Sequence, residues 1–407
     1  LTATERKAGA LNGLVSGENR IRIWEWNTDM TNATDTSKTL GESMFAQCGY
    51  AQDAIDKRVS QVWHEIFEGP NKFYWENDEG LAYVMDTGNN DVRTEGMSYA
   101  MMIALQYDRK DVFDKLWGWV MRHMYMEDGH HAHYFAWSVA PDGTPNSNGP
   151  APDGEEYFAM DLFLASRRWG DGEDIYEYSA WGREILRYCV HKGERYDGEP
   201  CGIPTTSSSS SFRKPSGAIR PTICRTSMKY SPKKPTKKTV HFGMRQRRKR
   251  RYLQTACDER TGMNAEYADY DGKPHVDESN HWHFYSDAYR TAANIGLDAA
   301  WNGPQEVLCD RVAALQRFFL IHDRTSVYAI DGTAVDEVVL HPVGFLAATA
   351  QGSLAAVHSA QPDAEHNARE WVRMLWNTPM RTGTRRYYDN FLYAFAMLAL
   401  SGKYRYE

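Results

Sequence analysis

One apolar pattern recurs along most of the chain. Between positions 54 and 67, Ile55, Val59, Val62, Trp63, Ile66 and Phe67 follow one another at spacings of three and four, which predicts an amphipathic helix. The same period predicts helices over 97–106, 111–124, 157–168, 179–190, 286–297, 305–319, 343–356, 364–377 and 388–400. Strand-like runs are few and short; the alternating aromatic stretch 73–84 reads as a strand or as an extended lead into the loop that follows. Gly, Pro, Asp and Asn clusters at 141–145, 149–154 and 170–172 separate the helices. Successive helices with alternate connections long and polar predict an all-α fold of helical hairpins in a ring, its long loops gathered on one face. Residues 1–42 are polar without a sustained period and read as a loose N-terminal extension to a single domain over 43–407.

A second pattern interrupts the first. Residues 205–251 hold fifteen of the 47 Lys and Arg residues and none of the 54 Asp and Glu residues. Such a block reads as a polyanion-binding arm or as a solvated insertion. A genetic origin explains it better. Back-translated with permissible third bases and read one nucleotide earlier, Lys233-Lys-Pro-Thr-Lys-Lys238 becomes Glu-Glu-Ala-Asp-Glu-Glu, Ser227-Met-Lys229 becomes Phe-Tyr-Glu, and Cys201-Gly-Ile-Pro204 becomes Met-Trp-Asn-Pro. One shift direction restores acidic, aromatic, helix-compatible sequence across 201–251, as expected from a pair of compensating frame errors.

Composition narrows the function. Aromatics make up 13% of the 407 residues, and many of the 13 Trp and 24 Tyr stand beside Gly, Asp and Asn, as suits a cleft for a flat-faced, polyhydroxylated ligand. The six cysteines are scattered without a C-x-x-C pair, so neither a disulfide framework nor a zinc site is expected. With no secretory apolar region and no apolar run near 20 residues, the expectation is a soluble, cytoplasmic protein with no membrane or nucleic-acid partner. Oligomeric state stays open.

Three carboxylates share one setting. Glu95 stands where the polar loop Asp86-Thr-Gly-Asn-Asn-Asp-Val-Arg-Thr runs into an apolar helix, Asp153 where Gly149-Pro-Ala-Pro opens another, and Asp287 where the aromatic run His281-Trp-His-Phe-Tyr-Ser opens a third. Each taken singly is explained by favourable charge at a helix N-terminus. Three at the same kind of junction, with aromatics around them, point to chemistry. Glycoside hydrolysis needs one carboxylic acid to protonate the leaving oxygen and one carboxylate to activate water or attack. The chain has no phosphate-binding glycine loop, no G-x-S-x-G elbow and no HExxH. His130, His131, His133, His281 and His283 lack carboxylates at ligand spacing, so no metal and no cofactor are expected.

These stretches carry a specific resemblance. Residues 86–102, Tyr134-Phe-Ala-Trp137, Gly149-Pro-Ala-Pro-Asp-Gly-Glu-Glu-Tyr-Phe158, Phe284-Tyr-Ser-Asp-Ala-Tyr-Arg290 and Arg381-Thr-Gly-Thr-Arg-Arg-Tyr-Tyr-Asp-Asn390 resemble glycoside hydrolase family 8, from about Ser43 to the C-terminus with the basic block as the gap. Within it, the chain is most similar to the reducing-end xylose-releasing exo-oligoxylanases. The resemblance implies an (α/α)6 barrel and an inverting mechanism, with Glu95 as general acid, Asp287 as general base and Asp153 as a third carboxylate orienting the sugar. It implies a xylooligosaccharide substrate, Trp137 as a stacking platform, and Arg93 and Tyr388 in the cleft. His341, in Leu340-His-Pro-Val-Gly344, is similar to the element that binds the reducing-end hydroxyl and closes the cleft. An endo-acting xylanase or β-glucanase on the same scaffold is the alternative. The basic block departs from the family, whose counterpart supplies a water-holding tyrosine; the shifted reading restores one near Ser227 and Met228.

Overall fold

Two kinds of helix alternate, and burial tells them apart. A computed structural model describes residues 42–193, 195–198, 251–269, 271–276 and 281–405. The expected extension, apart from Glu42, and the segment 201–251 read as a frame error, apart from Arg251, lie outside the described residues. In Thr94–Gln106 every residue from Gly96 onward is buried, and in Arg386–Leu400 every residue from Tyr387 onward. A helix apolar all round belongs in an interior. Gln52–Phe67 instead buries one stripe, the six residues that the periodicity picked out, and Ala364–Asn377 buries Ala364, Ala368, Trp371, Val372 and Leu375. Such helices cover the interior ones and face solvent on the other side.

The interior helices stand side by side. Pro152–Trp169 packs on Thr94–Gln106, which packs on Arg386–Leu400, then Pro342–Gln351, then Tyr289–Asn302. Outside them, Tyr178–His191, Lys110–His123, Gln52–Phe67, Ala364–Asn377 and Glu306–Ile321 lie against those five in the same order. Helical hairpins therefore curl into the double ring of an (α/α)6 barrel, with the five interior helices among the described residues presenting their N-termini on one side.

Three local expectations are refined. The stretch 73–84 forms an antiparallel hairpin, Tyr74–Glu76 with Ala82–Val84. The helix expected over 286–297 begins with a 3-10 turn, Ser286–Ala288, before Tyr289–Asn302. The helix expected over 343–356 breaks at Gly352 into Pro342–Gln351 and Ser353–Ala356. A Cβ at Gly352 would come within 2.8 Å of the Val312 side chain, so the outer helix approaches closely at the break. A further short pairing matters to the site. Val92 and Arg93 pair antiparallel with Val139 and Ser138, and the Thr94 amide donates to the Trp137 carbonyl at 3.0 Å.

Candidate active site

Glu95 and Asp153 are each the second residue of an interior helix, and Asp287 lies in the 3-10 turn that leads into a third. Each of the first two is followed by a glycine. Gly96 lies directly against the Tyr387 hydroxyl and ring with no space for a Cβ, and a Cβ on Gly154 would come within 2.5 Å of Thr94. The glycines let neighbouring interior helices close on one another, which draws their N-terminal carboxylates together.

What joins them is Arg290, three residues after Asp287 and 4% exposed. Its Nη1 donates to Glu95 Oε2 at 2.8 Å, to the Tyr99 hydroxyl at 2.8 Å and to Asp153 Oδ2 at 3.4 Å. Its Nη2 lies 2.9 Å from Asp287 Oδ1. All three carboxylates picked out in the sequence thus meet on one guanidinium, whose planar fork suits several oxygens at once. Sequence reasoning did not single out Arg290 or Tyr99. Asp287 and Arg290 sit one helical turn apart, a spacing that hinted at an ion pair but not at its two remote partners.

Burial pushes the Glu95 carboxyl up to about 7, with Asp153 and Asp287 adding to the rise while Arg290 and Arg93 oppose it. Desolvation outweighs the cation because the side chain keeps only 16% of its exposure. A carboxyl poised near neutrality suits a general acid.

Asp287 is held from its backbone. Its amide donates to Glu266 Oε1 at 2.8 Å, and the other oxygen of Glu266, itself 3% exposed, is hydrogen-bonded to His281 Nδ1. The Tyr388 hydroxyl donates to the Ser286 carbonyl at 2.9 Å, and the Arg290 guanidinium lies 5.8 Å from the Tyr388 ring centre. Tyr388 is therefore brought to the site, with its hydroxyl committed to the turn that carries Asp287. Of the other histidines considered for a metal, His133 hydrogen-bonds Tyr125 at 2.8 Å and stacks on Tyr188.

Trp137 is 37% exposed, an unusual exposure for an indole in this core. Arg93 lies 5.5 Å from its ring centre and pairs with Asp91 at 3.0 Å and Asp86 at 3.3 Å. The two aspartates of the loop before Glu95 therefore anchor Arg93 against one side of the indole. The His341 ring stands 4.8 Å from that of Tyr388, and its Nδ1 is 2.7 Å from Asp389 Oδ2. The contacts join Trp137 to Arg93, the three carboxylates to Arg290, and Tyr388 to both Arg290 and His341.

Residues 62–402 match the model of the family described as glycosyl hydrolases family 8. The chain is 86% identical over 383 residues to the reducing end xylose-releasing exo-oligoxylanase of Bifidobacterium adolescentis, covering 93% of this chain and all of that protein. It is 47% identical over 377 residues to the protein of the same name from Halalkalibacterium halodurans, covering 89% of this chain and 93% of the relative. Among solved structures, a reducing-end-xylose releasing exo-oligoxylanase mutant complexed with xylobiose superimposes with a TM-score of 0.83 at 45% identity, over 89% of this chain and 96% of that one.

Proposed function

The chain belongs to glycoside hydrolase family 8, and from that premise we propose that it is a reducing-end xylose-releasing exo-oligoxylanase, an inverting hydrolase of β-1,4-xylooligosaccharides. The observation that carries the chemical assignment is the gathering of Glu95, Asp153 and Asp287 on Arg290, with Glu95 protonated near neutral pH.

Glu95 gives its proton to the glycosidic oxygen as the bond to the sugar C1 breaks. Asp287 takes a proton from the water whose oxygen attacks C1 from the opposite face. Asp153 accepts from a hydroxyl of the sugar being cleaved and opposes its rotation. Glu95 ends as a carboxylate and Asp287 as an acid, and exchange with solvent restores both. Arg290 holds the carboxylates in register before substrate arrives, so little reorganisation is needed in the transition state. Inversion needs the acid and the base roughly 6.5–9.5 Å apart, so that a water fits beside the ring. Trp137 supplies a stacking face for a sugar on the non-reducing side, and His341 stands where the reducing end must stop.

Xylotriose labelled in its reducing-end unit tests this reading. Release of the label as xylose, with the remaining xylobiose formed as its α-anomer in the first spectra, is the expected result. Larger labelled fragments would show endo action on the same scaffold, and a β-anomeric product would overturn inversion.

A further inference from the structure

Asp389 is wholly buried, at 0% exposure, accepts three hydrogen bonds and meets the His341 ring at a fourth contact. Its Oδ1 accepts from the amides of Val343 at 2.9 Å and Gly344 at 2.8 Å; its Oδ2 accepts from Arg381 Nη1 at 2.7 Å and meets His341 Nδ1 at 2.7 Å. Arg381 Nη1 also donates to the Leu340 carbonyl at 2.7 Å, so both sides of His341 in the chain are tied to the same group. Guanidinium and amide N–H groups only donate, so Asp389 is the acceptor in three of these four contacts.

This fixes a proton on the neighbouring ring. Ion-paired with the Arg381 guanidinium, Asp389 is a carboxylate with no hydrogen to offer, so Nδ1 of His341 is the donor. The neutral ring then carries a bare lone pair at Nε2, because one imidazole nitrogen donates and the other accepts. Among the described residues Nε2 has no hydrogen-bond partner, and the ring keeps 14% of its exposure beside Tyr388. A group that only accepts is thus presented at the reducing-end wall.

We propose that Asp389 is a positioning residue that sets the His341 tautomer and so makes recognition of the reducing end directional: the sugar must donate a hydroxyl hydrogen to Nε2. The assignment rests on the reading of His341 as the reducing-end wall. It adds the direction of that contact, by which an ether or glycosidic oxygen at C1 is refused for want of a donor as well as for its bulk. Asp389→Asn reverses the polarity. The amide oxygen still accepts from Val343 and Gly344, while the NH2 gives up the bond from Arg381 Nη1, donates to Nδ1 and moves the ring proton to Nε2.

Two measurements decide the matter. The wild-type enzyme is compared on xylotriose and on an analogue ending in 1,5-anhydroxylitol, which is smaller at C1 and lacks only the hydroxyl. We expect kcat/KM to be about tenfold lower for the analogue, the worth of one good hydrogen bond; the direction of that bond is read from the spectra, because a hydroxyl can also accept from an Nε2–H. Equal wild-type values for the two substrates overturn the donor requirement. Independently, long-range 15N–1H spectra of histidine-labelled wild-type protein, with His341 assigned by its loss in His341→Gln, are expected to show the neutral ring with Nδ1 protonated and Nε2 bare. An Nε2-protonated ring overturns the proposal even where Asp389→Asn fails to fold. Failure to release xylose from xylotriose would instead sink the functional reading, and the spectra would still report the tautomer.

Discussion

Arg290 donates to Glu95 at 2.8 Å across 195 positions of sequence, and the same guanidinium reaches Asp287 at 2.9 Å and Asp153 at 3.4 Å. A cation that binds the carboxylates proposed as acid and base has two opposing effects. It preorganises both carboxylates, yet it works against the protonation of Glu95 that catalysis needs. Desolvation wins, and the acid remains usable near neutral pH.

Removal of that cation should show both effects. In Arg290→Leu, three buried carboxylates lose their common partner, so kcat should fall by about 100-fold or more. The basic limb of the remaining pH–rate profile should move upward, because a group that lowered the Glu95 pKa is gone. An unmoved basic limb in a folded variant would mean that Glu95 is not the titrating acid.

Glu95 also makes stability depend on pH. Its carboxyl titrates near 7 in the folded protein against 4.5 in an unfolded chain, so the folded state binds the proton more tightly. That contribution is full below about pH 4.5 and is lost as pH rises through 7, to a total of about 3 kcal/mol. Glu95→Gln escapes the loss. The variant should be inactive while still binding xylotriose, and its Tm advantage over wild type should grow between pH 5 and about pH 8. A Tm difference that stays constant over this range would falsify the assignment of a raised pKa.

The glycines behind the carboxylates should tolerate no methyl. Gly96→Ala forces the Tyr387 ring away from the Thr94–Gln106 helix, an overpacking expected to cost about 1–3 kcal/mol and to displace Glu95. Thermal unfolding and kcat should both fall. Wild-type values for both would show that the helices have room to part.

Trp137 is expected to act in binding. Trp137→Ala should raise KM about tenfold on longer oligosaccharides with a smaller change in kcat, while Trp137→Phe retains part of the stacking. A change confined to kcat would place the indole in the chemistry instead.

The basic block makes a prediction about the gene. A peptide mass map of the protein from its native source should match the shifted reading of 201–251, with acidic peptides in place of Lys233-Lys-Pro-Thr-Lys-Lys238. Peptides with the written sequence would end the frame-error explanation.

Much of the fold was open to reading because helices are local. Residues three and four apart meet on one face whatever the rest of the chain does, so the stripe Ile55, Val59, Val62, Trp63, Ile66 and Phe67 predicted the buried side of Gln52–Phe67. The break at Gly352 escaped, because it depends on how closely Val312 approaches from another helix.

The sequence by itself determined the helical hairpins, the family motifs and the three carboxylates at helix starts, because loop-to-helix junctions and motif spacing are properties of neighbouring residues. Only the tertiary structure decided that Arg290 binds all three, that Glu95 is desolvated enough to hold a proton near pH 7, and that Asp389 sits 48 positions from His341 with four donors upon it. Protonation state and hydrogen-bond direction depend on what surrounds a group in space, and the surrounding groups come from remote parts of the chain.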